Sequence, residues 1–323
     1  MKLSYTAIST YQNCPLQYRY RYVEGIPSQP SPALSFGRSL HTALQWFYDV
    51  STPHPCALEE LIAYLDQCWD SEGYSSGEEE TRYFYHARSV LEMYYRNNVR
   101  EFRIPAALEH RFGIDLGFCT LTGVIDRLDK DPHGGFEIID YKTNRRLPPA
   151  KFLARDLQLP IYHIAVKRIW EVEAARVTFY YLLINHRHSV PVTPERENEA
   201  LEVIRKTAFE IERGCFDPRP NNLCPWCDYI SKCPEWQGRP VPAKKGSGPP
   251  ELDIGQAVDE LIATGKQLEN LTKRHYSLRE IVSNYLLEQG IKAVGGSRGL
   301  ASLDSDGRLA WSDEVSASED RDL

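Results

Sequence analysis

Between Ala107 and Asp140 the apolar residues recur at every second position, and this constrains the fold more than any other feature. The segments Leu108-Glu-His-Arg-Phe112, Phe118-Cys-Thr-Leu121, Gly123-Val-Ile-Asp126-Arg-Leu128 and Phe136-Glu-Ile-Ile-Asp140 are divided by turn signals such as Asp131-Pro-His-Gly-Gly135. That is the pattern of strands with one buried face. A further strand is expected at 176–184. Around them the period lengthens. Residues 3–22 read as a Ser/Thr-rich cap region running into a Tyr- and Arg-rich helix, and Pro27 to Pro32 as a loop. Phe36 to Val50 reads as a helix with Leu40, Leu44, Phe47 and Tyr48 on one face, and 56–71, 80–102, about 150–170 and 194–213 as further helices. The expected fold class is α/β (or α+β), a mixed sheet with helices packed against it.

Two of the strand segments end in acid. Gly123-Val-Ile-Asp126 and Ile138-Ile-Asp140-Tyr-Lys142-Thr143 each close an apolar run with an aspartate. In a strand, residues i and i+2 share a face, so Asp140 and Lys142 project side by side. A carboxylate and an ammonium on one face, with a second carboxylate from a neighbouring strand, suit a metal ion that holds a phosphate. That is the chemistry of metal-dependent phosphodiester cleavage. A lone Asp-x-Lys would read as a surface salt bridge, but this pair has company.

Eight cysteines stand at 14, 56, 68, 119, 215, 224, 227 and 233. Three fall in Cys224-Pro-Trp-Cys227-Asp-Tyr-Ile-Ser-Lys-Cys233, with the third expected about a turn and a half of helix after the CxxC. Such spacing converges on a metal instead of a disulfide. Cys14, which shares the Cys-Pro context, is the expected fourth ligand, and Cys215 is its rival. Four cysteines suit zinc or an iron–sulfur cluster equally. The other cysteines read as small core residues.

The 323 residues are enough for one large domain plus an extension, and 42% hydrophobic residues fit a globular chain. A net charge of −7 argues against nonspecific coating of nucleic acid, yet allows a local basic groove from Arg19, Arg21, Lys142, Arg145, Arg146, Lys151 and Arg155. No apolar run spans a bilayer, and no signal peptide is evident. Cysteine usage fits a reducing cytoplasm. The expected organisation is a domain at 1–237, a Pro/Gly/Lys-rich linker at 238–250, a long amphipathic helix plus hairpin at 251–311 and an acidic tail at 312–323. The helix stripe would serve either as a coiled-coil element or as a face packed on its own domain.

Six stretches together resemble one family: Ser4 to Pro15, Gly37-Arg-Ser-Leu-His41, Gly123 to Arg127, Ile139 to Thr143, Gln158-Leu-Pro-Ile-Tyr162 and the three-cysteine loop. In this order they resemble the RecB-like branch of the PD-(D/E)XK nuclease superfamily. More narrowly they are similar to its iron–sulfur exonucleases, which include CRISPR-associated spacer-acquisition nucleases and the AddB nuclease domain. The resemblance covers roughly residues 3–236 and implies a restriction-endonuclease-like sheet whose N- and C-terminal parts are closed by a cysteine-bound cluster. It implies that His41, Asp126, Asp140 and the Tyr141 carbonyl ligate Mg²⁺ or Mn²⁺, and that Lys142 orients the attacking water. Gln158 and Tyr162 would brace Lys142 and the DNA backbone. Cys14, Cys224, Cys227 and Cys233 would hold a 4Fe-4S cluster, with zinc as the other occupant. Glu109 would support the metal. The implied substrate is DNA, as single strands or duplex ends, with Tyr18, Tyr20 and Tyr22 stacking on bases. A helicase, recombination or CRISPR protein is the implied partner. The rival function is a catalytically inactive iron–sulfur DNA-binding or scaffold module. The bland alternatives are a structural His41, an Asp126–Arg127 turn salt bridge, a surface pair at Gln158 and Tyr162, and an exposed Glu109.

Overall fold

The chain enters its sheet at once. Strand β1 (Lys2–Ser4) leads into α1 (Tyr5–Asn13), where Ser4 caps the helix by accepting the Ala7 N–H at 3.1 Å. The expected N-terminal helix is broken at Cys14, which is extended because it precedes proline. It resumes as α2 (Pro15–Tyr18) and closes in a π-turn at Arg19–Val23. Helices α3 (Pro32–Tyr48), α4 (Leu58–Cys68) and α5 (Gly77–Asn98) follow. Then come β2 (Ala107–Asp115), β3 (Thr120–Lys130) and β4 (Phe136–Lys142), and after them α6 (Gln158–Trp170), β5 (Ala174–Tyr181), β6 (His186–Val190) and α7 (Pro194–Glu212). The cysteine loop forms three short 3₁₀ turns, not the expected helical turn and a half. The expected strand to 184 stops at Tyr181, and β1 and β6 are additions to the expected set.

The computed structural model describes residues 1–49, 54–130, 135–144, 146–149, 153, 156–172, 174–240, 250, 254–304 and 306–312. The expected turn at 131–134, most of the linker, almost all of the acidic tail, and Arg145, Lys151 and Arg155 lie outside these residues. The chain divides into two compact units, Met1–Glu251 and Leu252–Leu323.

In the first unit, six strands form a mixed sheet in the order β1-β3-β4-β5-β6, with β2 also on β3. β2 runs antiparallel along β3 from Thr120 to Leu128. Strand β1 pairs with Thr120 to Thr122, and β4 with Arg127 to Lys130. A strand has two edges and β2 occupies one, so β1 and β4 share the other. Between them, Gly123 to Asp126 have no ladder partner on that edge, and the sheet forks there. Gly123 is needed for a separate reason: a Cβ at this position would stand 2.6 Å from Phe112 Cζ.

Alternation then sorts the side chains into two cores. Ile138 joins Leu3, Ile8, Leu121, Leu159 and Ile204 under α1, α6 and α7. Its neighbour Ile139 joins Leu40, Leu44, Phe47, Leu61 and Leu91 under α3, α4 and α5. With both faces covered, the β3–β4 fork is held at a fixed width.

The second unit holds α8 (Ile254–Gln289), ended by Gly290 at φ 65°. A three-stranded antiparallel sheet follows, β7 (Ala293–Gly296), β8 (Gly299–Leu303) and β9 (Leu309–Ser312), in place of a single hairpin. Leu286 is buried, while Leu261, Leu268, Leu271 and Leu278 of the stripe are exposed.

Candidate active site

Asp126 and Asp140 sit where β3 and β4 part, one residue beyond the last ladder pair Arg127–Ile139. In place of that ladder, the Tyr141 N–H donates to Asp126 Oδ2 at 2.8 Å. In an extended strand a residue's N–H and C=O point the same way, so the Tyr141 carbonyl also faces the fork. His41, on α3, brings Nδ1 to 3.5 Å from Asp126 Oδ2. Gly37 allows that approach, because a Cβ there would meet Thr143 Oγ1 at 3.3 Å.

Glu109 is brought in by the backbone. It holds φ 42°, and the β2–β3 register runs from Leu108↔Arg127 to His110↔Ile125. Glu109 therefore stands opposite Asp126 in an unshifted register, with a left-handed backbone that is rare for a residue other than glycine. One ligand atom each from His41, Glu109 and Asp126 lie within 4.8 Å of one another. Among the described residues this is the tight group suited to a metal ion, and Asp140 is not part of it.

Asp140 is engaged on its other side. Gln158, the first residue of α6, donates Nε2 to Asp140 Oδ1 at 2.7 Å and to the Tyr162 hydroxyl at 2.8 Å. Its Oε1 accepts from Lys142 Nζ at 2.6 Å. Lys142 Nζ lies 2.5 Å from Asp140 Oδ2, but that oxygen has no aligned hydrogen-bond donor. The Phe179 ring lies 4.8 Å from the same ammonium.

Burial dominates the electrostatics. Asp140 is 2% exposed, and desolvation pushes its carboxyl up to about 6, against the pull of Lys142. Asp126 and Glu109 are likewise raised, chiefly by burial, with His41 opposing in both cases. Three crowded carboxylates with one ammonium and one imidazole leave negative charge uncompensated. Hard oxygen donors with an imidazole fit a divalent cation such as Mg²⁺ or Mn²⁺.

Cys14, Cys224, Cys227 and Cys233 line one cavity, and Cys215 does not. The Arg219 N–H reaches Cys14 Sγ at 3.4 Å and the Asn221 N–H reaches Cys224 Sγ at 3.2 Å. The Cys215 carbonyl accepts from the Tyr11 hydroxyl, and its N–H donates to the Glu210 carbonyl. Two expected base-stacking residues are spent elsewhere. Tyr18 is buried against Tyr11, Tyr22 and Phe216, and the Tyr20 hydroxyl donates to the Lys232 carbonyl. They tie the N-terminal helices to the cysteine loop.

Asp156 and Tyr5 were not expected at the site. Asp156 accepts from the Gln158 N–H at 2.7 Å and from the Tyr5 hydroxyl at 3.1 Å. The only sequence signal was an acidic residue two places before Gln158, which suits a helix start.

The sequence profile of the PD-(D/E)XK nuclease superfamily matches residues 2–234. The chain belongs to the PD-(D/E)XK nuclease superfamily, and its mixed sheet flanked by helices is that fold. The Gene 69 protein of Mycobacterium phage L5 is 28% identical over 145 residues, which are 42% of this chain and 48% of that protein. The chain thus spans about half the length of that curated relative. Two solved structures are more distantly similar. A candidate exonuclease from Eubacterium rectale is 13% identical, with 76% of this chain and 91% of that chain covered and a TM-score of 0.45. The protein SSO0001 is 15% identical, with 72% and 86% covered and a TM-score of 0.36. Among the described residues no helix is long and apolar enough to cross a membrane.

Proposed function

We propose that this nuclease is a divalent-cation-dependent DNA exonuclease of the RecB-like iron–sulfur branch, acting on single strands or duplex ends. The observation that carries this reading is the fork: Asp126 and Asp140 are buried side by side, with Lys142 and Gln158 locked beside them. His41, Glu109, Asp126, Asp140 and the Tyr141 carbonyl are the residues that would hold the cation. A cation there would polarise the phosphate and make water nucleophilic near neutral pH. Asp126 is kept in position by the Tyr141 N–H. Lys142, fixed by Gln158 Oε1, holds the water and offsets charge as its oxygen bonds to phosphorus. The P–O ester bond then breaks, and the proton given up by the water ends on the leaving oxygen, so that the products are a phosphate monoester and a free hydroxyl.

The four cysteines at one cavity support a 4Fe-4S cluster, with N–H donors aimed at two of the sulfurs as iron–sulfur sites use them. Such a cluster would close residues 1–237 by joining α1 to the loop at 224–233, so that Cys14→Ala and Cys227→Ala lower stability alike. Protein purified without oxygen is expected to carry iron and sulfide in similar amounts. Stoichiometric zinc without iron would refute the cluster. A helicase, recombination or CRISPR protein is the partner this reading carries, in a reducing cytoplasm.

The test of function is cleavage of end-labelled single- and double-stranded DNA. Wild type should release nucleotides with Mg²⁺ or Mn²⁺ and not with EDTA, and Asp140→Ala should release none. An inactive wild type would favour the DNA-binding module instead.

A further inference from the structure

We infer that Asp156 and Tyr5 act as a positioning pair that sets Gln158, and through it Asp140 and Lys142, in working register. The inference rests on the nuclease reading above. Gln158 cannot adjust itself by rotation, because its amide nitrogen serves Asp140 and Tyr162 while its amide oxygen serves Lys142. Where the first turn of α6 sits therefore decides whether all three bonds form together. That turn is held by one carboxylate. Asp156 Oδ1 accepts from the Gln158 N–H at 2.7 Å and from the Leu159 N–H at 3.4 Å.

A helix start needs only this one oxygen. The second oxygen does something a cap does not require: Asp156 Oδ2 accepts from the Tyr5 hydroxyl, 151 positions away. Tyr5 opens α1 directly after β1, and β1 pairs with β3, the strand that carries Asp126. The Asp156 carbonyl accepts from Arg196 of α7 at 2.9 Å. The start of α6 is thus referenced to the strand of one catalytic aspartate while its first side chain reaches the other. Asp156, Tyr5, Lys142 and Gln158 also line one cavity. Among the described residues no hydrogen bond or ion pair joins Asp156 or Tyr5 to Asp126 or Asp140, so theirs is a positioning role.

The test uses the full chain with Mn²⁺ and end-labelled DNA, comparing wild type, Asp156→Ala, Asp156→Asn and Tyr5→Phe. Loss of about an ångström of alignment lowers kcat by roughly 100-fold, and that is the fall expected for Asp156→Ala, with KM and DNA affinity nearly unchanged. Asp156→Asn keeps the Oδ1 acceptor, and its amide N–H can donate to the Tyr5 oxygen in place of the Oδ2 bond, so it should restore most of kcat. Tyr5→Phe keeps every bond at the helix start and should lose roughly tenfold in kcat at an unchanged melting temperature. Hydrogen exchange of the Gln158 side-chain amide, read by NMR, checks the same point without activity. It should be slow in wild type and Asp156→Asn, and fast in Asp156→Ala. Wild-type kcat in Tyr5→Phe, or losses in Asp156→Ala that only follow its melting temperature, would overturn the inference. If Asp156→Ala does not fold, Tyr5→Phe decides alone. The nuclease reading stands or falls separately, on wild type and Asp140→Ala.

Discussion

Two adjacent residues of β3 anchor opposite kinds of buried charge. Arg127 faces the core under α3, α4 and α5. Its guanidinium forms two parallel bonds with Asp129, reaches the Tyr94 and Tyr141 hydroxyls at 3.2 and 3.3 Å, and lies 3.7 Å above the Tyr48 ring. One cation meets one anion, and the Tyr94 and Tyr141 hydroxyls take two further donors. Asp126, one position earlier, faces the fork with Asp140 and Glu109, where carboxylates outnumber cations and Asp140 Oδ2 has no aligned donor. A satisfied buried pair holds a fold together. An unsatisfied one is tolerated where something else is meant to bind.

The largest expected effect that sharpens this contrast is on rate. Lys142→Ala should lower kcat by roughly 100- to 1,000-fold while cation binding, followed by calorimetry, persists. Equal losses of affinity and rate would mean that Lys142 only props the site. Next comes stability, where the two clusters should respond with opposite sign. Arg127→Leu leaves Asp129 unpaired and should cost about 3–5 kcal/mol in denaturant unfolding. Asp140→Asn removes uncompensated charge and should raise the melting temperature of cation-free protein at neutral pH. A shift of the same sign in both variants would erase the distinction.

The smallest effect is on the pH profile. The Asp140 carboxyl titrates at about 6 in the fold, above its ordinary 3.8. Between those values the folded state binds the extra proton, so stability is greatest below the lower value and is lost as pH rises through the higher one. Cation-free wild type should weaken from about pH 4 to pH 6, and Asp140→Asn should reduce that slope, leaving the part owed to the raised Asp126 and Glu109 carboxyls.

Much of this was legible in the sequence, for identifiable reasons. Asp126, Asp140 and Lys142 stand in strands whose alternation fixes their faces, and Gln158 and Tyr162 lie one helical turn apart. Glu109 was legible only as a carboxylate near the right strand. Its place at the fork goes with a left-handed backbone that no local pattern in Leu108-Glu-His-Arg reveals. β1 has three residues and β6 is His186-Arg-His-Ser-Val190, an edge strand with little apolar alternation, so neither stands out. Tyr5 meets Asp156 only through the sheet topology. Tyr18 and Tyr20 looked like base-stacking platforms because aromatic content alone does not show which rings the fold consumes.

Mn²⁺ binding, measured by calorimetry on wild type, Asp126→Asn and Arg127→Leu, tests most directly whether the fork is a cation site. Wild type and Arg127→Leu should bind Mn²⁺ alike, and Asp126→Asn should lose most of the affinity. Equal binding by wild type and Asp126→Asn would contradict it.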